Sequence, residues 1–282
     1  MMLSSQLIGA CMALASALLY GGADFCGGVA SRRSHHYQAL VLSSGVGILT
    51  LIGLAVVGDE GWPALEAVRS GALAGVCGAL GLAALYRGLA TGSAAVVSPV
   101  SGVITASIPV VVAAYTSGLP GTTQLLGFAI AIPGIWLVAA HSAATAKATR
   151  AGLILGLWSG IGCGLFLVFA AGISSGAVFG ALAVAKATAC ASALVLTLLN
   201  RMRPVARAGS QAAILTGLID PLANALYVMA SAHTRMDVAA VLVSLYPAGT
   251  VLLARLILKE QIVAVQWAGV LLCLVAIVLI TL

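Results

Sequence analysis

The chain has 282 residues, of which 62% are apolar and only 7% are charged. Because charges occupy about a quarter of the positions in a soluble domain, this composition excludes a soluble enzyme and predicts an integral membrane protein. The net charge of +6 does not indicate nucleic-acid binding, since most Lys and Arg lie in short loops between apolar segments.

A membrane-spanning helix needs roughly 20 mostly apolar residues, and the sequence contains ten such segments. The segments between them are too short to form a folded extramembrane domain, so one all-α membrane domain is predicted over residues 1–282. The predicted spans are 7–29, 38–57, 70–90, 94–116, 123–141, 151–173, 177–199, 211–232, 238–258 and 262–282.

The two halves of the chain resemble each other at an offset near 141 to 143 residues, with repeat one at about 1–142 and repeat two at about 150–282. For example, Ala84-Leu85-Tyr86 recurs as Ala225-Leu226-Tyr227. Because each repeat has an odd number of spans, the second copy must enter the membrane in the opposite orientation. Inverted repeats with a site at their interface are typical of secondary transporters, so the sequence predicts transport.

Basic residues are concentrated after the odd-numbered spans, as at Arg32, Arg33, Arg201 and Arg203. Short cytoplasmic loops carry the excess of Lys and Arg in membrane proteins. The pattern therefore predicts that the odd-numbered loops are cytoplasmic and that both termini lie outside.

Glycines recur every four residues in the sixth predicted span, at Gly152, Gly156, Gly160 and Gly164. A stripe without side chains lets another helix backbone approach closely. We expect Gly156 and Gly160 to face a helix of the same chain, and the alternative is the interface of a homodimer.

Three charged residues, Asp24, Lys186 and Asp220, fall within predicted spans. A charge at the bilayer centre costs about 2.5–3.5 kcal/mol on insertion scales, so such residues usually face a cavity, pair with one another and mark a solute or proton path. They are the first candidates for substrate binding or proton coupling.

Asp24 lies near the end of the first predicted span, in the glycine-rich segment Tyr20–Gly28. The glycines thin the helix around the acid and should give water or solute access to it. The structural alternative is an interfacial carboxylate that pairs with Arg32 or Arg33.

Asp220 is deeper in its span and is followed by Pro221, which removes a backbone N–H and should free a carbonyl near the carboxylate. Asn224 is one turn further on and shares its face. We expect Lys186 to pair with Asp220 or with Asp24, and the sequence does not choose between them. In the structural alternative, Asp220 only holds Lys186 in place.

Aromatic residues should supply the rest of the cavity wall, although each one taken singly can instead be a packing residue or an interfacial anchor. The predicted cavity-lining residues are Tyr20, Tyr86, Trp158, Tyr227 and Tyr246.

The sequence has no Walker A loop, no Gly-x-Ser-x-Gly elbow and no His-Glu-x-x-His motif, and its cysteines lack metal-ligand spacing. It therefore predicts no ATP hydrolysis, no cofactor and no metal site. The cysteines are expected to be small buried residues. An ion gradient or the solute's own gradient must supply the energy for transport.

Three segments carry a family resemblance. They are Val238–Pro247 continuing through Leu258-Lys259-Glu260 to Gln266–Gly269, Leu19-Tyr20-Gly21 with Asp24-Phe25, and Asp220 with Ala223–Tyr227. Together they resemble EamA-type members of the drug/metabolite transporter superfamily. The resemblance implies a ten-helix inner-membrane carrier with a central cavity that usually exports amino acids, metabolites or amphipathic drugs, and it favours cytoplasmic termini.

We therefore expect a secondary active exporter of small organic solutes in the cytoplasmic membrane, working by alternating access, with protons as the coupling ion and as a monomer or homodimer. One alternative is a non-transporting receptor or assembly protein, for which the chain offers no large loop. The other is an intramembrane lipid-modifying enzyme with Asp24 and Asp220 as acid and base, which would need these groups near the headgroups.

Overall fold

The computed structural model is all-helical over the residues that it describes. These are 2–91, 94–117, 121–140, 146–173, 176–203, 209–234, 236–260 and 262–281. The helices within them are α1 (Met2–Arg33), α2 (His36–Val57), α3 (Leu65–Ala90), α4 (Ala94–Ser117), α5 (Thr122–Ala140), α6 (Ala146–Ala171), α7 (Val178–Leu199), α8 (Ser210–His233), α9 (Met236–Val243), α10 (Tyr246–Ile257) and α11 (Ala264–Thr281).

Seven helices, α1–α4 and α6–α8, are long and apolar enough to cross a membrane within the described ranges, while α5, α10 and α11 contain shorter apolar segments. Every predicted span coincides with a helix or, for the ninth, with the pair α9 and α10. At 1.5 Å per residue, the 8 residues of α9 and the 12 of α10 together rise by roughly 30 Å, the thickness of the hydrocarbon core. The lengths of the helices are therefore compatible with ten membrane crossings, and the number of crossings remains a prediction.

The ninth predicted span is not one continuous helix, which corrects the sequence-based expectation. The helix stops after Val243 and resumes at Tyr246, with a turn at Ser244 and Leu245. Pro247 near the start of α10 has no N–H to donate to the carbonyl of Val243, so one bond of the helical ladder is missing where the helix breaks. The Ser244 hydroxyl instead donates to the carbonyl of Ala240 at 2.6 Å.

The most extensive helix contacts join the two halves of the chain. Each such pair of helices has an equivalent pair in which both helices are replaced by their counterparts in the other half. Helix α1 packs against α8, and α6, the counterpart of α1, packs against α3, the counterpart of α8. Likewise α2 packs against its own counterpart α7, and α5 against α11. This reciprocal pattern is expected for two repeats related by a pseudo-two-fold axis.

The glycine stripe of α6 faces α4 of the same chain, which confirms the packing prediction for Gly156 and Gly160. A Cβ added to Gly160 would lie 2.4 Å from the Cβ of Ile104 and 2.8 Å from the carbonyl oxygen of Ser101. The stripe is therefore occupied within the chain, and its alternative role as a homodimer interface is wrong.

Glycine also brings α3 and α7 close together beside the centre of the bundle. A Cβ at Gly75 would lie 2.1 Å from the carbonyl oxygen of Ala185, and a Cβ at Gly71 would lie 2.4 Å from that of Ala181. Lys186 follows Ala185 directly, so this close approach carries its side chain into the interior of the bundle.

Candidate functional site

A cavity lies at the centre of the bundle, between helices of both halves. It holds about 650 Å³ of empty space, including the part that opens outward. The residues with polar side chains that line it are Tyr20, Asp24, Thr105, Cys163, Lys186, Asp220, Asn224 and Tyr246.

Lys186 and Asp220 form a buried ion pair in this cavity, with the Lys186 ammonium donating to Asp220 Oδ2. The same carboxylate oxygen accepts from Asn224 Nδ2 at 3.0 Å. Gly47 of α2 makes room for this arrangement, since a Cβ there would lie 3.4 Å from Cδ of Lys186 and 3.1 Å from Cγ of Pro221. Asp220 is thus neutralised and held by two partners.

Asn224 links this ion pair to the first helix. Its amide nitrogen also donates to the backbone carbonyl of Asp220 at 2.7 Å, and its amide oxygen accepts from the Tyr20 hydroxyl at 2.6 Å. The amide therefore uses both its donor and its acceptor groups. This chain of hydrogen bonds fixes the position of Asp220 relative to α1.

Asp24 lines the same cavity and is only 4% exposed. Within the part of the chain that the structure describes, its carboxylate makes no hydrogen bond and no ion pair, although it lies within electrostatic range of Asp220 and Lys186. The alternative pairing with Arg32 or Arg33 is wrong, because Asp24 is buried well inside α1 and Arg32 pairs with Glu260. Asp24 is therefore the cavity carboxylate that has no hydrogen-bond or ion-pair partner among the described residues.

Tyr246 enters the cavity wall at the break between α9 and α10. Its hydroxyl lies 2.8 Å from the Ser101 hydroxyl, which lies 2.9 Å from that of Ser159. These three hydroxyls connect α4, α6 and α10 at the buried side of the cavity.

On this side of the cavity, α4 and the segment where α9 meets α10 each lack one helical hydrogen bond because of a proline. Pro247 leaves the carbonyl of Val243 without its helical donor, and Pro109 does the same for the carbonyl of Thr105. Both Val243 and Thr105 line the cavity. The helix is interrupted between Val243 and Tyr246, whereas α4 stays helical through Pro109. A discontinuous helix near the centre of the bundle is typical of binding sites in transporters.

The structure brings together Asp24, Lys186, Asp220 and Asn224, but it places three predicted wall residues elsewhere. Tyr86 is 1% exposed and lies against Gly27, where an added Cβ would be 2.2 Å from its Cζ. Tyr227 is fully buried and donates to the carbonyl of Leu167 at 2.9 Å.

Trp158 is 62% exposed on the outer surface of α6 and does not line this cavity. The expectation that Trp158 faces the interior is therefore wrong. An exposed ring on a helix of a membrane bundle has lipid as its neighbour, and the glycine face of α6 is turned towards α4 instead.

Sequence reasoning missed Thr105, Cys163 and Phe166, all of which line the cavity. For Thr105 a signal exists, since it lies four residues before Pro109 and so loses its helical N–H donor. No local signal separates Cys163 from the other cysteines. The expectation that the cysteines are buried holds for Cys273, whereas Cys11 is exposed and the other four are half-buried.

The effect of Pro221 differs in detail from the expectation. The carbonyl that loses its donor belongs to Gly217, one turn before Asp220, and it lies 3.6 Å from the position of an added Cβ at Gly47. The unpaired carbonyl therefore lies on the side of α8 that faces α2, and it adds no acceptor beside the Asp220 carboxylate.

At the Arg32 end of the bundle, where α1 ends and α2 begins, one arginine joins the two halves. Arg32 pairs with Glu260, which follows α10, and its Nε donates to the carbonyl of Leu89 at the end of α3 at 3.2 Å. Arg255 donates to the Glu260 carbonyl at 3.0 Å. Glu260 thus holds the second half to the first at this end.

At the Glu60 end, where α2 ends and α3 begins, a carboxylate again joins the halves. Glu60 accepts from the backbone N–H groups of Phe179 and Gly180 at 3.2 and 3.1 Å. These donors are at the start of α7, where a carboxylate is favoured by the helix dipole. Each end of the bundle therefore has an inter-half contact centred on a glutamate, in addition to the Gln38–Arg203 hydrogen bond at the Arg32 end and the Ser5–His233 hydrogen bond at the Glu60 end.

Apolar helices arranged around a buried, charged cavity define a multi-pass membrane protein. The chain matches the model of the EamA-like transporter family over residues 7–140 and again over 150–282, and it therefore belongs to that family. The resemblance found in the sequence is confirmed, and the two matched ranges coincide with the two halves.

One crystal structure is similar to the chain at a TM-score of 0.61, with 17% sequence identity over 99% of this chain and 97% of that one. At this identity the likeness concerns the fold alone. None of the curated proteins compared with the chain matches it.

Proposed function

We propose that the protein is a secondary active transporter that exports small organic solutes, such as amino acids, metabolites or drugs, across the cytoplasmic membrane, and that Asp24 is the carboxylate that couples transport to protons. One observation carries the proposal. Asp24 faces the cavity without a partner, beside an acid that Lys186 and Asn224 already hold.

The reason is the free energy of a buried charge. An ionised carboxylate without a partner is strongly disfavoured in a poorly hydrated site, so Asp24 must bind a proton or a positively charged group of the solute. The two ligands compete for one group. Because of this competition, the proton leaves Asp24 when the solute binds there.

Alternating access is the conformational part of the proposal. The contacts of Glu260 and Glu60 join the halves at opposite ends of the bundle, so loss of the contacts at one end while those at the other end are kept would open the cavity to one side only. Rocking of one half against the other around a fixed central site is how inverted-repeat carriers exchange access. Pro109 within α4 and the break between α9 and α10 before Pro247 supply places where these segments can bend.

The rival reading as a lipid-modifying enzyme requires Asp220 as a free acid or base. Its carboxylate is engaged by Lys186 and Asn224 within the bundle, so nothing favours that role. A receptor or assembly role finds no support either, because the family is one of transporters.

Proteoliposomes containing a pH-sensitive dye test the proposal. Amines, amino acids and carboxylic acids are added in turn, with and without a proton gradient, and both lumenal pH and solute movement are recorded. At least one solute class should move protons in the wild type, and Asp24→Asn should lose this proton movement.

Asp59→Asn is the matched control. Asp59 is exposed at the end of α2, and its positive φ of 49° suits Asn as well as Asp, so this variant should behave as wild type. Failure of every solute class to move would overturn the transport proposal. Equal proton movement in Asp24→Asn and wild type would overturn coupling at Asp24.

A further inference from the structure

The charges of the central cavity do not balance. Lys186 contributes one positive charge, and Asp24 and Asp220 contribute one negative charge each, so with both acids ionised the cavity has a net charge of −1. The ion pair accounts for Lys186 and Asp220. The uncompensated charge belongs to Asp24.

Two occupants bring this net charge to zero. One is a proton on Asp24, and the other is a solute with a single positive charge. When the solute takes the place of the proton, a zwitterion or a neutral solute leaves the charge at −1, an anion makes it −2, and a dication makes it +1. Since uncompensated charge is disfavoured in a buried site, the neutral states are the ones that can be enclosed during the exchange of access.

Among the described residues that line the cavity, no cation is free to bind the carboxylate group of an amino acid. Lys186 already donates to Asp220 Oδ2, and that oxygen is also held by Asn224. A solute carboxylate would therefore have to displace Asp220 and leave it unpaired in the cavity. The pair thus disfavours solutes with a carboxylate group.

The rest of the cavity wall suits an apolar body attached to the charged group. Leu82, Phe166, Leu182 and Val243 line it, and the rings of Tyr20 and Tyr246 can lie beside a cation.

We propose that the solute is a monovalent organic cation, namely an amine with an apolar body, that exchanges one for one with a proton at Asp24. This inference rests on the proposed function and names the substrate class of the same site. When the ammonium group binds, the Asp24 proton leaves to the aqueous side to which the cavity is open. No covalent bond in the solute is made or broken.

Compounds that share one body and differ in charge test the inference. Phenethylamine is the cation, phenylalanine the zwitterion, 3-phenylpropionate the anion and 2-phenylethanol the neutral probe; butylamine and butanol repeat the comparison with an aliphatic body. Binding to the purified protein is measured by calorimetry, and proton release is measured in weakly buffered solution.

The amines should bind the wild type and release protons, approaching one for each amine bound at a pH where Asp24 starts protonated. Their affinity should fall at least about tenfold in Asp24→Asn, because a charged hydrogen-bonded contact is lost. Asp24→Glu keeps the charge and should retain binding, and Asp59→Asn should match the wild type. Melting of each variant shows whether it is folded.

Binding of phenylalanine or 3-phenylpropionate as tight as that of phenethylamine would overturn the inference, as would equal affinity of the amines for wild type and folded Asp24→Asn. Failure of both amines to bind at millimolar concentration would do the same. If phenylalanine moves protons in proteoliposomes and the amines do not, the substrate class is wrong and the proposed function stands. If no solute moves, both are wrong.

Discussion

Replacing Lys186 by Met should destabilise the protein more than replacing both members of its ion pair. The Lys186 and Asp220 side chains are 10% and 7% exposed, so the pair is almost fully removed from solvent. Loss of one member of a buried pair typically costs about 3–5 kcal/mol, because the other charge is left without compensation.

The local contacts decide where in this range the variant falls. After Lys186→Met, Asp220 keeps the hydrogen bond from Asn224, which offsets about 1 kcal/mol, and we expect a loss of about 3 kcal/mol. In the double variant with Asp220→Asn, the amide in place of Asp220 can still bind Asn224 and no unpaired charge is created there. The double variant should lie within about 1 kcal/mol of wild type.

Unfolding in mixed micelles, followed as denaturing detergent replaces the mild detergent, compares the four proteins of this cycle. Lys259→Met is the matched control, because Lys259 is exposed after α10. If the double variant lost as much free energy of unfolding as the two single variants together, the reasoning would be refuted. Wild-type stability of Lys186→Met would also refute it.

Three further predictions concern packing, access and topology. Gly160→Leu should lower the melting temperature in detergent because α4 occupies that face, whereas Gly53→Leu, with nothing within 4 Å of its added Cβ, should not; equal melting would contradict the packing. The access prediction uses a variant whose only cysteine is Cys163. In it, Glu260→Gln should speed maleimide labelling from the Arg32 end, and Glu60→Gln should speed labelling from the Glu60 end. Identical labelling of the two variants from both ends would contradict the proposed roles of these two contacts. Reporters fused to the two termini should be active on the same side of the membrane, as an even number of crossings requires, and opposite sides would contradict ten crossings.

The spans and the buried charges could be predicted from the sequence because both depend on local composition. A run of apolar residues is visible in any window, and a charge such as Lys186 stands out within it since hydrocarbon makes it costly. The ninth span shows the limit of this reasoning. Its hydropathy is continuous from Val238 to Leu258 and does not record the N–H that Pro247 lacks. The same loss at Pro109 and Pro221 leaves α4 and α8 continuous, so a proline alone does not show where a helix will break.

The directions of side chains could not be predicted with the same success. Trp158 and Cys163 lie on the same helix, and only the packing of α6 against α3 and α4 turns Cys163 inward and Trp158 outward. The choice between the partners of Lys186 likewise depends on how α7 meets α1 and α8. Rotation of a helix about its axis is set by tertiary contacts, which one sequence does not report.

The central claim is that Asp24 is the group that exchanges a proton for solute, while Asp220 stays ionised in its pair with Lys186. Infrared difference spectroscopy of the purified protein, recorded on adding phenethylamine, measures this directly through the stretching band of a protonated carboxyl group. The account predicts that one such band disappears in the wild type and in Asp59→Asn and is absent from Asp24→Asn. A band that persists in Asp24→Asn and is lost only in Asp220→Asn would contradict it.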